Sequence, residues 1–228
     1  MLRTVIASQV DLEVFRPMWD VAILEFPKAP TLDDVLNGFG GIEDKIGSTP
    51  ALRVADDSYV VRLSDTLLGA FGPGNRQLVA NWLAQDDDEL SPYLQQALGY
   101  VDAGTEVILA LDLTEAVTPA MVEQRLTETE NAEIKKLDAA QVVKVLSSVK
   151  GVMLGITFGK QAYGKVRVDF GEDATPLADV AKTLLLQVLE HHGAMIDELA
   201  DWKVETKGTT IFLDGYLGES GLMRVTSL

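Results

Sequence analysis

The chain has no cysteine and only two histidines among its 228 residues. Without a thiol it forms no disulfide, no thiolate metal site and no cysteine nucleophile, and it is indifferent to an oxidising or a reducing compartment. The histidines, His191 and His192, stand side by side in "LLLQVLEHHGAMIDEL". Adjacent helical residues project about 100° apart, whereas helical zinc motifs place two ligands one turn apart, so the pair does not read as a metal site. Apolar runs fall short of the roughly 20 residues that cross a bilayer. The start, "MLRTVIASQVDLEVF", lacks the basic opening, unbroken apolar segment and small-residue cleavage site of a secretory signal. A soluble chain is expected, cytoplasmic by default and exported if a leader segment has been removed.

The usual catalytic motifs are missing as well. There is no G-x-S-x-G, and "DFG" at residues 169–171 has no catalytic-loop HRD to accompany it. "GITFGK" at 155–160 is one residue short of a phosphate-binding loop and is followed by Gln161, while "GFGG" and "GPGN" read as turns. Neither a catalytic residue nor a cofactor is predicted.

Acid is what the chain has in excess: 35 Asp and Glu against 19 Lys and Arg, a formal net charge of −16. Residues 1–130 hold 22 of the acids and 8 of the bases, so the excess belongs to the first half. Such a surface repels phosphate backbones and anionic lipid, which argues against nucleic acid or a membrane surface as a partner and for a cation, a basic protein or peptide, or the chain's own less acidic half, within one chain or between two copies. Two acidic groups are candidate cation ligands or acid–base residues. One is the run Asp86, Asp87, Asp88 and Glu89; the other is Asp112, at the end of the apolar run "TEVILAL". None shows calcium-loop spacing. The run precedes the helix start at Ser91, where negative charge suits the helix dipole, and an Asp after a strand commonly organises the following turn.

Helix starts are legible. Ser91-Pro92, Thr118-Pro119 and Thr175-Pro176 each put a hydroxyl cap before a proline suited to the first helical position. Thr31 with Asp34 reads as a capping box, Asn75 opens a helix to about Ala84, and Asp138 caps one ending near Ser147. In the helix expected from Thr175, an apolar stripe through Leu177, Val180, Ala181, Leu184, Leu185, Val188 and Leu189 leads to His192, with Gly193 ending the helix. Both imidazoles are therefore read as packing and capping groups at a helix end.

Strand-like runs lie between the helices at 20–26, 59–63, 66–71 and 105–111, the last apolar on both faces and so expected in the centre of a sheet. After Lys150 the alternation is clean. Val152, Leu154, Ile156 and Phe158 share one side of a strand that turns at "GKQAYG" into the next, and a second hairpin turns at "KGT". The polar side of these hairpins gathers Lys165, Arg167, Lys203 and Lys207, a candidate interaction face toward a protein, a peptide or the acidic first half. "TLLGAFGPGNRQLVANWLAQ" and "KVRVDFGEDATPLADVAKTLLLQ" both run strand, Phe-Gly, turn and amphipathic helix.

The expected fold is therefore α+β: two related modules of mainly antiparallel sheet with amphipathic helices packed on one face, 1–130 and 131–228, joined at the acidic "LTETENAEIKKLD", the alternative being one continuous pseudo-repeat domain with a shared sheet. The expected function is a non-catalytic binding or scaffold protein; the alternative is a carboxylate-dependent enzyme or Ca²⁺-binding protein using the acids of the first half. "VKGVMLGITFG" followed by "WKVETKGTTIFLDGYLGESGL" is similar to the end of a group of uncharacterised bacterial proteins. The resemblance covers the last third of the chain and implies no activity, cofactor or site residue.

Overall fold

The computed structural model describes residues 3–11, 16–55, 57–85, 90–99, 105–191 and 196–225. The chain divides into two compact units, Met1–Asp88 and Glu89–Leu228. Each is an antiparallel sheet with helices laid on it, the α+β architecture expected from the sequence.

In the first unit β1 (Arg3–Asp11) and β2 (Arg16–Glu25) form a hairpin, followed by α1 (Leu32–Phe39), β3 (Ile42–Ile46), β4 (Thr49–Arg53), β5 (Tyr59–Arg62), β6 (Leu67–Gly72) and α2 (Arg76–Ala84). The sheet order is β1-β2-β6-β5-β4-β3. α1 starts as expected: the Thr31 side chain accepts the Asp34 amide while the Asp34 carboxylate accepts the Thr31 amide, satisfying two orphan donors of the first turn. Its buried Val35 meets Leu52, Leu68 and Ala29 on one face of the sheet. α2, capped by Asn75, sends Val79 onto the other face among Val21, Tyr59, Val61 and Phe71. Helices thus cover both faces here, which differs from the single covered face expected.

The second unit contains α3 (Pro92–Leu98), β7 (Val107–Asp112), α4 (Pro119–Glu128), α5 (Ala139–Leu146), β8 (Val149–Phe158), β9 (Ala162–Phe170), α6 (Ala181–His191), β10 (Lys203–Lys207), β11 (Thr210–Leu217) and α7 (Glu219–Val225). The sheet order is β10-β11-β9-β8-β7. Alternate residues of these strands, among them Leu154, Ile156, Val166, Ile211 and Leu213, join Val142 and Val145 of α5 and Leu184 and Leu185 of α6 in the main core among the described residues. Trp202 seals one end of it. A Cβ on Gly164 would lie 2.3 Å from its ring and one on Gly215 2.4 Å, so only glycine permits both strands to approach the indole.

The structure corrects the sequence reading in four places. The division falls at 88/89 rather than 130/131, and the supposed junction is structural: Ile134, in a 3₁₀ turn over Ile134–Lys136, is buried in the second core. With that boundary, the units carry 14 acids against 7 bases and 21 against 12, so the acid excess is shared and the charge asymmetry does not mark a domain. β7 is an edge strand, not a central one; it is apolar on both faces because the main core meets it at Val107 while Tyr93 and Ala97 of α3 pack with Ala110 on the other face. Finally, Thr175-Pro176 opens a 3₁₀ turn, Thr175–Leu177, before α6, since the Asp173 carboxylate accepts both the Thr175 amide and hydroxyl. His191 ends α6, whereas His192 and Gly193 lie outside the described residues.

Candidate functional site

The four basic residues singled out in the sequence do share one face of the second sheet, opposite the main core. Pairing register sets them in cross-strand rows: Lys203, Asp214 and Lys165 in one; Glu205, Phe212, Arg167 and Met153 in the next; Lys207, Thr210, Asp169 and Gly151 in a third. Acids alternate with bases along these rows. The surface is a mixed-charge face rather than a basic patch, because β11 inserts between β9 and β10 and brings its own outward residues.

Arg167 is the residue whose role changes most. Its guanidinium donates from Nε to Asp169 Oδ1 at 2.8 Å and pairs through Nη2 at 2.7 Å, and it lies over the Phe212 ring at 5.9 Å. Asp169 is 6% exposed and also accepts from the Thr210 hydroxyl at 2.9 Å and the Tyr93 hydroxyl at 3.2 Å. Three donor residues satisfy this buried carboxylate, and the network ties β9, β11 and α3 together. α3 sits here because Gly151 leaves room: a Cβ at that position would be 2.2 Å from the Tyr93 ring. The polar face therefore does not simply meet water, as the alternation implied; α3 covers its β8 side.

Beyond α3 the face is open and aromatic. Tyr163 and Tyr216 meet edge to face at 5.3 Å, and Tyr216 is 64% exposed. The Tyr163 hydroxyl donates to Asp214, and that bond, together with burial, raises the phenol pKa above its ordinary value. Lys207 reaches Glu205 at 2.8 Å and approaches the Phe212 ring at 5.8 Å. Lys165 and Lys203 are exposed on either side of Asp214, in the row between the tyrosines and Phe212. Tyr163, Phe212, Asp214 and Tyr216 escaped the sequence reading, yet their signal is there: in "TIFLDGYL" the residues Thr210, Phe212, Asp214 and Tyr216 alternate in step with the apolar set. Ring edges, hydroxyls and both signs of charge on a fixed sheet suit recognition of a polar, partly apolar surface.

The acidic candidates give no site among the described residues. Asp112 is held at a turn. Burial alone would raise its pKa, but donation from Ser91 and from the Thr114 amide and hydroxyl outweighs that and lowers it; the Thr114 amide is 2.9 Å from Oδ1. Its carboxylate thus links the start of α3 to the end of β7. Asp86, Asp87, Asp88 and Glu89 lie outside the described residues. No group of three Asp, Glu or His side chains among the described residues is placed to hold a metal ion. In the first unit an open depression of 420 Å³ is bordered by Trp19, Asp20, Asp57 and Pro73. In the same unit Asp44 accepts from the Tyr59 hydroxyl at 2.7 Å, from Arg76 and from the Lys45 amide at 2.7 Å; these bonds bring its pKa down to about 2. That triad fastens α2 to β3 and β5.

Two antiparallel-sheet units with packed helices define the class as α+β, and none of the helices among the described residues is long and apolar enough to cross a membrane. No family model and no curated protein matches the chain. Three crystal forms of TP0453 are similar in structure. Form III is 11% identical with a TM-score of 0.47, covering 92% of this chain and 76% of that one. Form I is 10% identical at 0.49, covering 97% and 78%, and form IV is 8% identical at 0.46, covering 97% and 77%.

Proposed function

We propose that the protein is a non-catalytic binding protein that takes a protein or peptide ligand on the open face of its second sheet. The exposed Tyr216, edge to face with the half-buried Tyr163, carries the reading, with Asp214, Lys165 and Lys203 in the next row of the face and Phe212, Glu205 and Lys207 beyond it. Tyrosines are favoured at interfaces because they bring a large amphipathic area with few rotatable bonds, and the alternating charges set orientation more than strength. The sheet underneath is backed by packing and by a buried polar network. Its opposite side is the main core, and Arg167 and Asp169 lock β9 to its neighbours.

The test is selection of peptides from a displayed library on the parent chain, followed by calorimetric titration of the enriched sequences against Tyr216→Ala and Phe212→Ala. Each substitution is expected to weaken binding by roughly tenfold or more, about 1.4 kcal/mol, with the thermal midpoint unchanged for Tyr216→Ala. Selected peptides that bind both variants as they bind the parent would remove this face from the function.

A further inference from the structure

Antiparallel sheets end in strands whose outward amides and carbonyls have no partner, and proteins ordinarily blunt such edges with charge, short length or cover. Three of the four edge strands among the described residues follow that rule. β3 is "IEDKI" and β10 is "KVETK", five residues each with charges inside the strand, and β7 is largely half-buried. β1 does not follow it. It runs nine residues, "RTVIASQVD", with no proline and no charge between its ends. Residues 3–9 are exposed on both faces of the sheet, Val5 at 54% and Ile6 at 67%. The one irregularity of the β1–β2 hairpin leaves the edge intact, because Gln9 pairs with Trp19 and Val10 with Pro17, so the extra residue, Met18, belongs to β2.

The strand's two charges sit at opposite ends and have opposite sign. A two-fold axis normal to the sheet keeps every residue on its own face, and centred on Ala7 it engages all nine residues of β1 with those of a second copy. Arg3 then stands opposite the partner's Asp11, and Asp11 opposite the partner's Arg3. Within the chain, Arg3 already pairs with Glu25 at 3.3 Å, and Asp11 is opposite Arg16 in the register. The row across the junction would read Arg16, Asp11, the partner's Arg3, the partner's Glu25: charges alternating over four strands, twice by symmetry. Between them Val5 faces the partner's Gln9 and Ile6 the partner's Ser8, so no like charges oppose each other.

We propose that β1 is a dimerisation edge: two copies pair β1 to β1, antiparallel about Ala7, and fuse two six-stranded sheets into one of twelve strands. The strand is about 30 Å long, and the outward amides and carbonyls of alternate residues supply the ladder. The inference is independent of the ligand-binding face, which lies in the other unit.

Sedimentation of the full chain over a concentration series tests it. The parent dimerises. Arg3→Asp and Asp11→Arg each raise the dissociation constant by about tenfold or more, since each places like charges opposite one another at both ends. An equimolar mixture of the two variants regains the parent's affinity as a heterodimer, because every altered residue then meets an opposite charge; this arm separates the interface from any effect on the hairpin itself. Tyr216→Ala leaves the dimer unchanged. A parent that stays monomeric overturns the proposal, as do single variants that dimerise like the parent or a mixture that fails to recover. A monomer whose β1 amides become protected from exchange only on adding an extended heterologous peptide assigns the edge to a different occupant and overturns it equally.

Discussion

The two units build their sheets around the same arrangement in a different chain order. In the first, a hairpin precedes the strand ending in Phe71-Gly72; in the second, a hairpin follows the strand that ends at Phe170, just before Gly171. Both times the hairpin's second strand, β2 or β11, pairs with that Phe-Gly strand, β6 or β9, and the rest of the sheet continues as a meander on its far side. Both times a tryptophan presses on a glycine of the Phe-Gly strand, Trp82 on Gly69 and Trp202 on Gly164. What differs is the hairpin's outer strand. β10 carries Lys203, Glu205 and Lys207 and is short, whereas β1 is long and uncharged along its middle. Shared strand pairing therefore does not bring shared surface chemistry: the outer strand's composition decides whether an edge is closed to other chains or open to them.

The tryptophans offer the strongest way to sharpen the comparison. Trp202 is 3% exposed, donates its indole N–H to the Tyr216 carbonyl at 2.9 Å and bears on two glycines, whereas Trp82 is half-buried over one. Trp202→Ala is expected to destabilise the second unit by about 3–5 kcal/mol, and Trp82→Ala the first by about 2 kcal/mol. Amide exchange resolved by segment reads the two separately, and equal losses would end the claimed difference.

Next comes the charge network, which the first unit matches only at its surface. Asp169→Ala strips Arg167, Thr210 and Tyr93 of a buried acceptor and is expected to cost about 3 kcal/mol. Denaturant titration measures it, and a loss under about 1 kcal/mol would reduce the pair to the worth of an exposed one.

The smallest effect belongs to Asp44, more open to water than Asp169. Its folded-state pKa, about 2, lies below the ordinary 3.8. The unfolded chain therefore binds the proton more readily; the stabilisation is complete above about pH 4 and is lost as pH falls through about 2. Acid titration of the parent against Asp44→Asn should show the parent's advantage for the first unit at pH 5 shrinking toward pH 2. A constant gap would mean that the Tyr59 and Arg76 bonds do not favour the charged form.

Much of this was legible along the chain. Caps at Thr31, Asn75, Ser91, Thr118 and Asp138 all form as read, because a side-chain oxygen and the amides it captures lie within three residues of one another. Both hairpins of the second unit turn where expected, at 159–161 and at 208–209, where Gly208 takes a φ of +56°. The same holds for Lys165, Arg167, Lys203 and Lys207 sharing a face, since alternation in a strand is a local rule. Three strands, β1, β3 and β4, were not recognised; "IEDKI" and "TPALR" contain the charges and proline of edge or surface segments, and their strand character comes from pairing with neighbours.

The sequence by itself determined where helices begin, where hairpins turn and which residues of a strand look the same way, because each depends on bonds and angles within a few residues. Only the tertiary structure decided the rest. It placed the boundary at 88/89 by giving α3 and β7 to the second unit, set "TEVILAL" at the sheet edge beside β8 while covering both its faces, and turned a set of lysines and an arginine into a mixed-charge aromatic face by inserting β11 between β9 and β10. Those outcomes depend on which distant segments meet, through burial and register summed over many side chains.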